Sequence, residues 1–194
     1  MRLGGILLAA GRSRRFGADK RMALLPDGRC VLECALSRLA EAVDDLVLVV
    51  GASDDPALFR QRFPHVRLVQ AMASDQGMGA SLAAGIAAED GWDACLVALA
   101  DKPFLRASTL QALRAALASA PIVVPCCGGE WGHPVGFARG LFPELARCSG
   151  DAGARSVVLA HPQALLQLET GDPGVLADID TPDELQRLAL QFGA

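Results

Sequence analysis

The chain holds 194 residues, carries a net charge of −4 and is 52% apolar, which suits one α/β domain over residues 1–194 with enough Ala, Leu and Val to fill a core almost without aromatics. The acidic balance excludes a broad basic face for nucleic acid, and no apolar run approaches the ~20 residues that span a bilayer. The apolar residues 3–10 are followed, not preceded, by a basic cluster, the reverse of a secretory signal, so a cytoplasmic protein with no membrane partner is expected.

In chain order, residues 3–9 are short, apolar and glycine-bounded and predict a buried parallel strand, followed by a Gly- and Arg-rich loop to Lys20. Leu32, Leu36 and Leu39 have helical spacing within residues 31–42. Residues 46–50 predict a second buried strand, 56–63 a short helix with Pro56 in its first turn, and 66–69 a third strand. A helix over 78–88 is entered through glycines. Residues 94–98 form a fourth strand that runs straight into Asp101. Residues 108–119 read as helix, 122–125 as strand, Gly128-Gly129 as a turn and 135–138 as a returning hairpin partner. Residues 154–160 read as helix, 165–168 as extended chain and 182–192 as a closing helix. Strands alternating with helices give a mostly parallel, mixed sheet with helices on both faces, a Rossmann-like three-layer sandwich. The six cysteines, at 30, 34, 95, 126, 127 and 148, make no C-x-x-C pair. Cys30 and Cys34 could share a helix face, but they and the adjacent pair Cys126-Cys127 read as small buried hydrophobes rather than a metal site, and disulfides are not expected.

Residues 11–21 read G-R-S-R-R-F-G-A-D-K-R, five cations against the single anion Asp19. The stretch follows a strand, where α/β sheets place their ligands. Glycines let the backbone approach a ligand, and Arg and Lys neutralise phosphate oxygens. The loop is neither a Walker A sequence nor G-x-G-x-x-G. Three further segments suit a nucleotide site. Gly77-Met78-Gly79-Ala80-Ser81 brings free N–H groups and a hydroxyl to a helix start. Asp101, before Pro103, stands at a strand's carboxyl end and suits a Mg²⁺ ligand. Asp178-Ile179-Asp180-Thr181-Pro182 precedes the last helix and reads equally as a helix start.

Leu8-Ala9-Ala10-Gly11-Arg12-Ser13-Arg14-Arg15-Phe16-Gly17 with Lys20 resembles the signature L-A-A-G-x-S-x-R-M-G-x-x-K of the molybdenum-cofactor nucleotidyltransferases, which share the nucleotide-diphospho-sugar transferase fold. Gln76-Gly77-Met78-Gly79-Ala80-Ser81-Leu82, Asp101-Lys102-Pro103, Gly132-His133-Pro134-Val135, Gly150-Asp151-Ala152-Gly153-Ala154-Arg155 and Asp178-Ile179-Asp180-Thr181-Pro182-Asp183 are similar to further family motifs, in family order, so that the resemblance runs from Leu3 to Leu185. It implies that Leu8, Ala9, Ala10, Gly11, Arg12, Ser13, Arg15, Lys20, Gly77, Gly79, Ser81 and Asp101 hold the NTP. Arg15, Lys20 and Asp101 carry the catalysis, and Asp101 with Asp180 holds Mg²⁺; Asp178 is the alternative second ligand. His133, Pro134, Gly150, Asp151 and Arg155 would line the acceptor side.

The reaction implied is transfer of CMP from CTP to the phosphate of molybdenum-bearing molybdopterin. Pyrophosphate is released, and the dinucleotide product passes to a recipient molybdenum hydroxylase or its chaperone. Ala9-Ala10-Gly11, His133-Pro134 and Gly150-to-Arg155 resemble the cytidylyl branch, whereas Asp19-Lys20 is a feature of the guanylyl branch. A transferase acting on GTP or a sugar phosphate, and a non-catalytic cofactor carrier, are the competing readings; the retained Asp101, Asp180, Lys20 and Arg15 speak against the carrier.

Overall fold

The structure is a computed structural model that describes every residue of the chain apart from Arg12, Arg14 and Ala194. Its elements run β1 (Leu3–Leu8), α1 (Val31–Ala40), β2 (Asp45–Gly51), α2 (Pro56–Arg62), β3 (Arg67–Ala71), α3 (Met78–Ala87), β4 (Ala94–Leu99), α4 (Ala107–Ala116), β5 (Ile122–Cys127), β6 (Glu130–Trp131), β7 (Val135–Ala138), α5 (Phe142–Leu145), α6 (Arg155–Ala160), β8 (Leu165–Glu169) and α7 (Pro182–Phe192). Each strand and helix expected from the sequence is present with its ends shifted by at most a few residues. The short β6 and α5 carry too few residues for periodicity to reveal them.

One sheet of order β3-β2-β1-β4-β7-β5-β6 results, with β8 also on β5. The β3-β2-β1-β4 half is parallel. β7 enters antiparallel to β4 and β5 alike, and β8 pairs parallel with β5. The expected hairpin partner of β5 therefore lies inside the sheet, where it joins the two halves.

Alternation along the strands sends side chains to two cores. Leu3, Leu7, Leu48 and Leu96 pack with Leu32, Leu36 and Leu39 of α1 and Leu110 and Leu113 of α4. Ile6, Val47, Val49 and Val97 pack with Leu82 and Ile86 of α3, Leu145 of α5 and Val157 of α6. Gly4 is glycine because a Cβ there would stand 2.0 Å from the ring of the fully buried Trp92. A third, smaller core joins α7 to α1 and the chain after β4 through Leu185, Leu188, Ile179, Phe104 and Val31, with Phe104 and Phe192 stacked at 4.8 Å. All six cysteines are free. Cys30 and Cys34 do not share a face: Cys30 precedes α1 and joins the first core, while Cys34 joins the third. Among the described residues no helix is long and apolar enough to cross a membrane.

Candidate active site

A cleft of about 600 Å³ opens at the carboxyl ends of β1 and β4, a volume in the range of small-molecule sites. β1 delivers Leu8 and then Ala9, Ala10 and Gly11 to its wall, and β4 delivers Leu99, Ala100 and Asp101. The strand ends are tied together, with Ala9 N–H donating to Val49 O at 2.8 Å and Ala100 N–H to Leu8 O at 3.0 Å.

At one end of the cleft stands an ionic cluster. The Lys20 ammonium donates to Asp101 Oδ2 at 2.7 Å and to Asp180 Oδ1 at 3.0 Å, and the Arg15 guanidinium lies 2.8 Å from Asp180 Oδ2. Residues from three distant parts of the chain thus share one point. Asp101 follows β4 and Asp180 precedes α7, and their segments are joined by Ile179 N–H donating to Asp101 O at 3.0 Å. Glu184 holds the backbone of Asp180, its Oε2 accepting the N–H groups of Asp180 and Thr181 at 2.9 Å each in the capping box that starts α7.

Lys20 sits at the start of a 3-10 turn capped by Asp19, with its N–H on Ser13 Oγ at 3.3 Å. Burial would lower the Lys20 pKa, but Asp101 and Asp180 outweigh it and raise it. The hydrogen bond from Lys20 holds the Asp180 carboxyl below its usual range against partial burial, helped by the charges of Lys20, Arg15 and Lys102. Asp178 lies elsewhere in the ionic network, 3.7 Å from the buried Lys102. Asp180, not Asp178, shares a partner with Asp101.

The basic loop departs from its expected role in one respect. Arg21 is not free for phosphate: its guanidinium is clamped by Asp19, by both oxygens of Asp54 and by Ala9 O, which accepts at 2.6 Å. It lies over the Phe59 ring and fastens the loop to the sheet. The sequence held no local sign of this, since Asp54 is 33 residues away. Arg15 and Lys20 line the cleft with Ser13; the expectation for Arg12 lies outside the described residues.

The glycine segment also lines the cleft, through Gly77, Met78 and Ser81. Gly77 has φ +105°, a conformation that favours glycine, and is the N-cap of α3. A Cβ on Gly77 would meet the Gly150 carbonyl carbon at 2.4 Å, and one on Gly79 the Ser149 backbone at 2.5 Å. Gly79 N–H donates to Gly150 O at 2.8 Å. The glycines therefore admit a second strip of backbone, and that contact brings Asp151 into the cleft beside Gly77, Met78 and Ser81. Ser74 and Asp75 join this wall; an ordinary turn sequence gave no signal for them.

Of the residues expected on the acceptor side, Asp151 lines the cleft and Gly150 abuts Gly77, whereas His133, Pro134, Gly150 and Arg155 are not among the residues that line the cleft, nor is Gly79 of the nucleotide segment. Pro134 is buried, and Arg155 is exposed at the start of α6. His133 Nδ1 is buried without a partner among the described residues, and the backbone N–H of His133 donates to Val175 O at 3.0 Å. Burial first, and then the Lys102 charge, lower the imidazole pKa to about 4, against a backbone hydrogen bond with Val97 and the charges of Asp101 and Asp178.

Two converging carboxylates suit a hard divalent cation that keeps waters and phosphate oxygens as its other ligands. Asp101 Oδ1 is buried with no hydrogen-bond partner among the described residues, an oxygen whose desolvation they do not offset. No cluster of three or more His, Cys, Asp or Glu side chains suited to a metal occurs among the described residues, so any metal here needs ligands from the substrate or from water.

The pattern of the MobA-like NTP transferase domain matches residues 5–165. The chain is 32% identical over 198 residues to the nicotine blue oxidoreductase of Paenarthrobacter nicotinovorans, covering 95% of each chain. It is 30% identical over 195 residues to the molybdenum cofactor guanylyltransferase of Cereibacter sphaeroides strain ATCC 17029, covering 96% of this chain and 95% of that one. Among solved structures, that of Rv0371c from Mycobacterium tuberculosis in complex with manganese superposes with a TM-score of 0.79 at 26% identity, covering 98% of this chain and 99% of that one.

Proposed function

Since the chain belongs to the family of MobA-like NTP transferase domains, we propose that its cleft transfers CMP from CTP to the phosphate of molybdenum-bearing molybdopterin, releasing pyrophosphate. The observation that carries this reading is the cluster of Lys20, Arg15, Asp101 and Asp180, which lines one cleft together with the glycine-built start of α3. Cations, two carboxylates and a helix N-terminus around one cavity are what a triphosphate and its counter-ion need.

An acceptor phosphate oxygen bonds to the α-phosphorus, the bond from that phosphorus to the bridging oxygen breaks, and pyrophosphate leaves with the electron pair. The phosphate monoester is already an anion near neutral pH, so no residue need deprotonate it. The work left to the chain is positioning and charge neutralisation. Asp101 and Asp180 would hold Mg²⁺, which when bound polarises the α-phosphate. Arg15 and Lys20 neutralise the charge that gathers on the leaving pyrophosphate. The α3 N-terminus, with Gly77, Gly79 and Ser81, holds the nucleotide. Asp151, an anion beside that wall, repels phosphate and suits a hydrogen-bonding face of the pterin ring.

A second reading takes GTP as the donor; the similarity to a guanylyltransferase and the Asp19-Lys20 pair favour it. Pyrophosphate release, measured for each of the four NTPs with Mg²⁺ and the pterin acceptor, tests both. Release confined to CTP supports the proposal, and release confined to GTP moves the base assignment. No release with any NTP overturns the transferase reading and turns attention to redox chemistry of the kind named for the oxidoreductase relative.

A further inference from the structure

The cation already lodged between the two carboxylates belongs to the protein. Lys20 Nζ is 2.7 Å from Asp101 Oδ2 and 3.0 Å from Asp180 Oδ1, and only 13% of the Lys20 side chain is exposed. A divalent cation shared by these carboxylates would need that same space, with Mg²⁺–oxygen distances of about 2.1 Å. Both cannot occupy it. We infer that Lys20 is a built-in place-holder that bars free divalent metal from the site, so that the protein takes metal and nucleotide together, as the metal–nucleoside triphosphate complex. This inference rests on the nucleotidyltransferase reading above.

The charge balance supports the coupling from both sides. Among the described residues, Lys20 and Arg15 already meet the charges of Asp101 and Asp180. Metal arriving alone would have to displace the ammonium from both of its carboxylates, or stand beside it at short range, where like charges repel strongly. A triphosphate arriving alone would draw Lys20 and Arg15 away and leave two carboxylates facing phosphate. With both present, the metal satisfies the carboxylates and the ammonium moves to phosphate.

The local structure allows that exchange without unfolding the loop. The Arg21 clamp and the Asp19 cap hold the backbone on either side of Lys20. The four-carbon lysine stem can swing from this fixed base. Asp101 Oδ1, buried and unpartnered among the described residues while the ammonium holds Oδ2, marks a carboxylate that the ammonium satisfies only by half.

The test is Mn²⁺ binding, followed by electron paramagnetic resonance without acceptor, so that no turnover is needed. Wild-type protein is expected to bind Mn²⁺ at least tenfold more tightly with CTP or GTP present than without. Lys20→Met, checked for folding by circular dichroism, is expected to bind Mn²⁺ at least tenfold more tightly than wild type in the absence of nucleotide, with a smaller further gain when nucleotide is added. Wild-type affinity that is the same with and without nucleotide overturns the place-holder, and this result needs no variant. So does a folded Lys20→Met protein whose nucleotide-free affinity does not rise. Absence of any Mn²⁺ or nucleotide binding to the wild type overturns the transferase reading itself. Nucleotide-independent Mn²⁺ binding with intact pyrophosphate release overturns the place-holder alone.

Discussion

Asp101 presents two oxygens in unlike settings, one bonded to Lys20 and one buried without a partner among the described residues. Removing the side chain costs an ion pair but also removes an uncompensated buried oxygen, and the two effects offset each other in stability. Asp101→Ala is therefore expected to keep a melting temperature within a few degrees of wild type while losing on the order of 100-fold or more in kcat; pyrophosphate release and a thermal scan check the pair. His133 yields a pH prediction. Its pKa falls from 6.5 to about 4 on folding, so the unfolded chain binds the proton more readily. His133 then contributes full stability above pH ~6.5, lost progressively down to pH ~4, with a total on the order of 3 kcal/mol. Urea denaturation of wild type and His133→Gln across pH 4–7.5 should show a difference that shrinks as pH falls, and a pH-independent difference would contradict it. At this scale the sequence was legible where chemistry is local. Asp101 at a strand end and the glycines before α3 announce themselves. Arg21 reads as one more loop cation, and only the distant Asp54 makes it a clamp.

Among the elements, α7 carries the site's second carboxylate by its first turn. Thr181-Pro182 reads as a helix start, but the capping box that Thr181 forms with Glu184 was not expected, and Glu184 does more than cap, because it also accepts the Asp180 N–H. Thr181→Ala and Glu184→Ala should each cost about 1 kcal/mol of stability. Glu184→Ala alone should also weaken Mn²⁺–nucleotide binding several-fold, and Glu184→Gln should restore much of it, since an amide oxygen can accept the same N–H groups. Equal binding losses in the two alanine variants would mean that only helix stability is at work. The strands show where pattern reading stops. Period and turn residues identified β5 and β7, yet β7 as hairpin partner tells only half its role: it is antiparallel to β4 as well. Alternation fixes which face a residue takes; it does not say which strand lies alongside.

For the molecule as a whole, three cores meet behind one cleft, and the third is the smallest. Leu188, 3% exposed, anchors α7 in it. Leu188→Ala should cost about 2–4 kcal/mol and loosen Asp180 with its helix, so that hydrogen exchange in residues 179–192 speeds up more than in β1 or β4. The layered architecture was legible because alternating strand and helix signals permit few other folds. The small core was not, since Phe104, Val31 and Leu188 each read only as part of their own segment. The bond from Lys20 to Asp180 spans 160 positions of sequence. Chains fold from the amino end as they leave the ribosome, so β1, the basic loop and β4 are all made well before the partner that completes the carboxylate pair. A growing chain therefore has its basic loop and Asp101 long before it has Asp180. Translation itself delays the completed Lys20–Asp101–Asp180 cluster until the chain beyond β8 has been made.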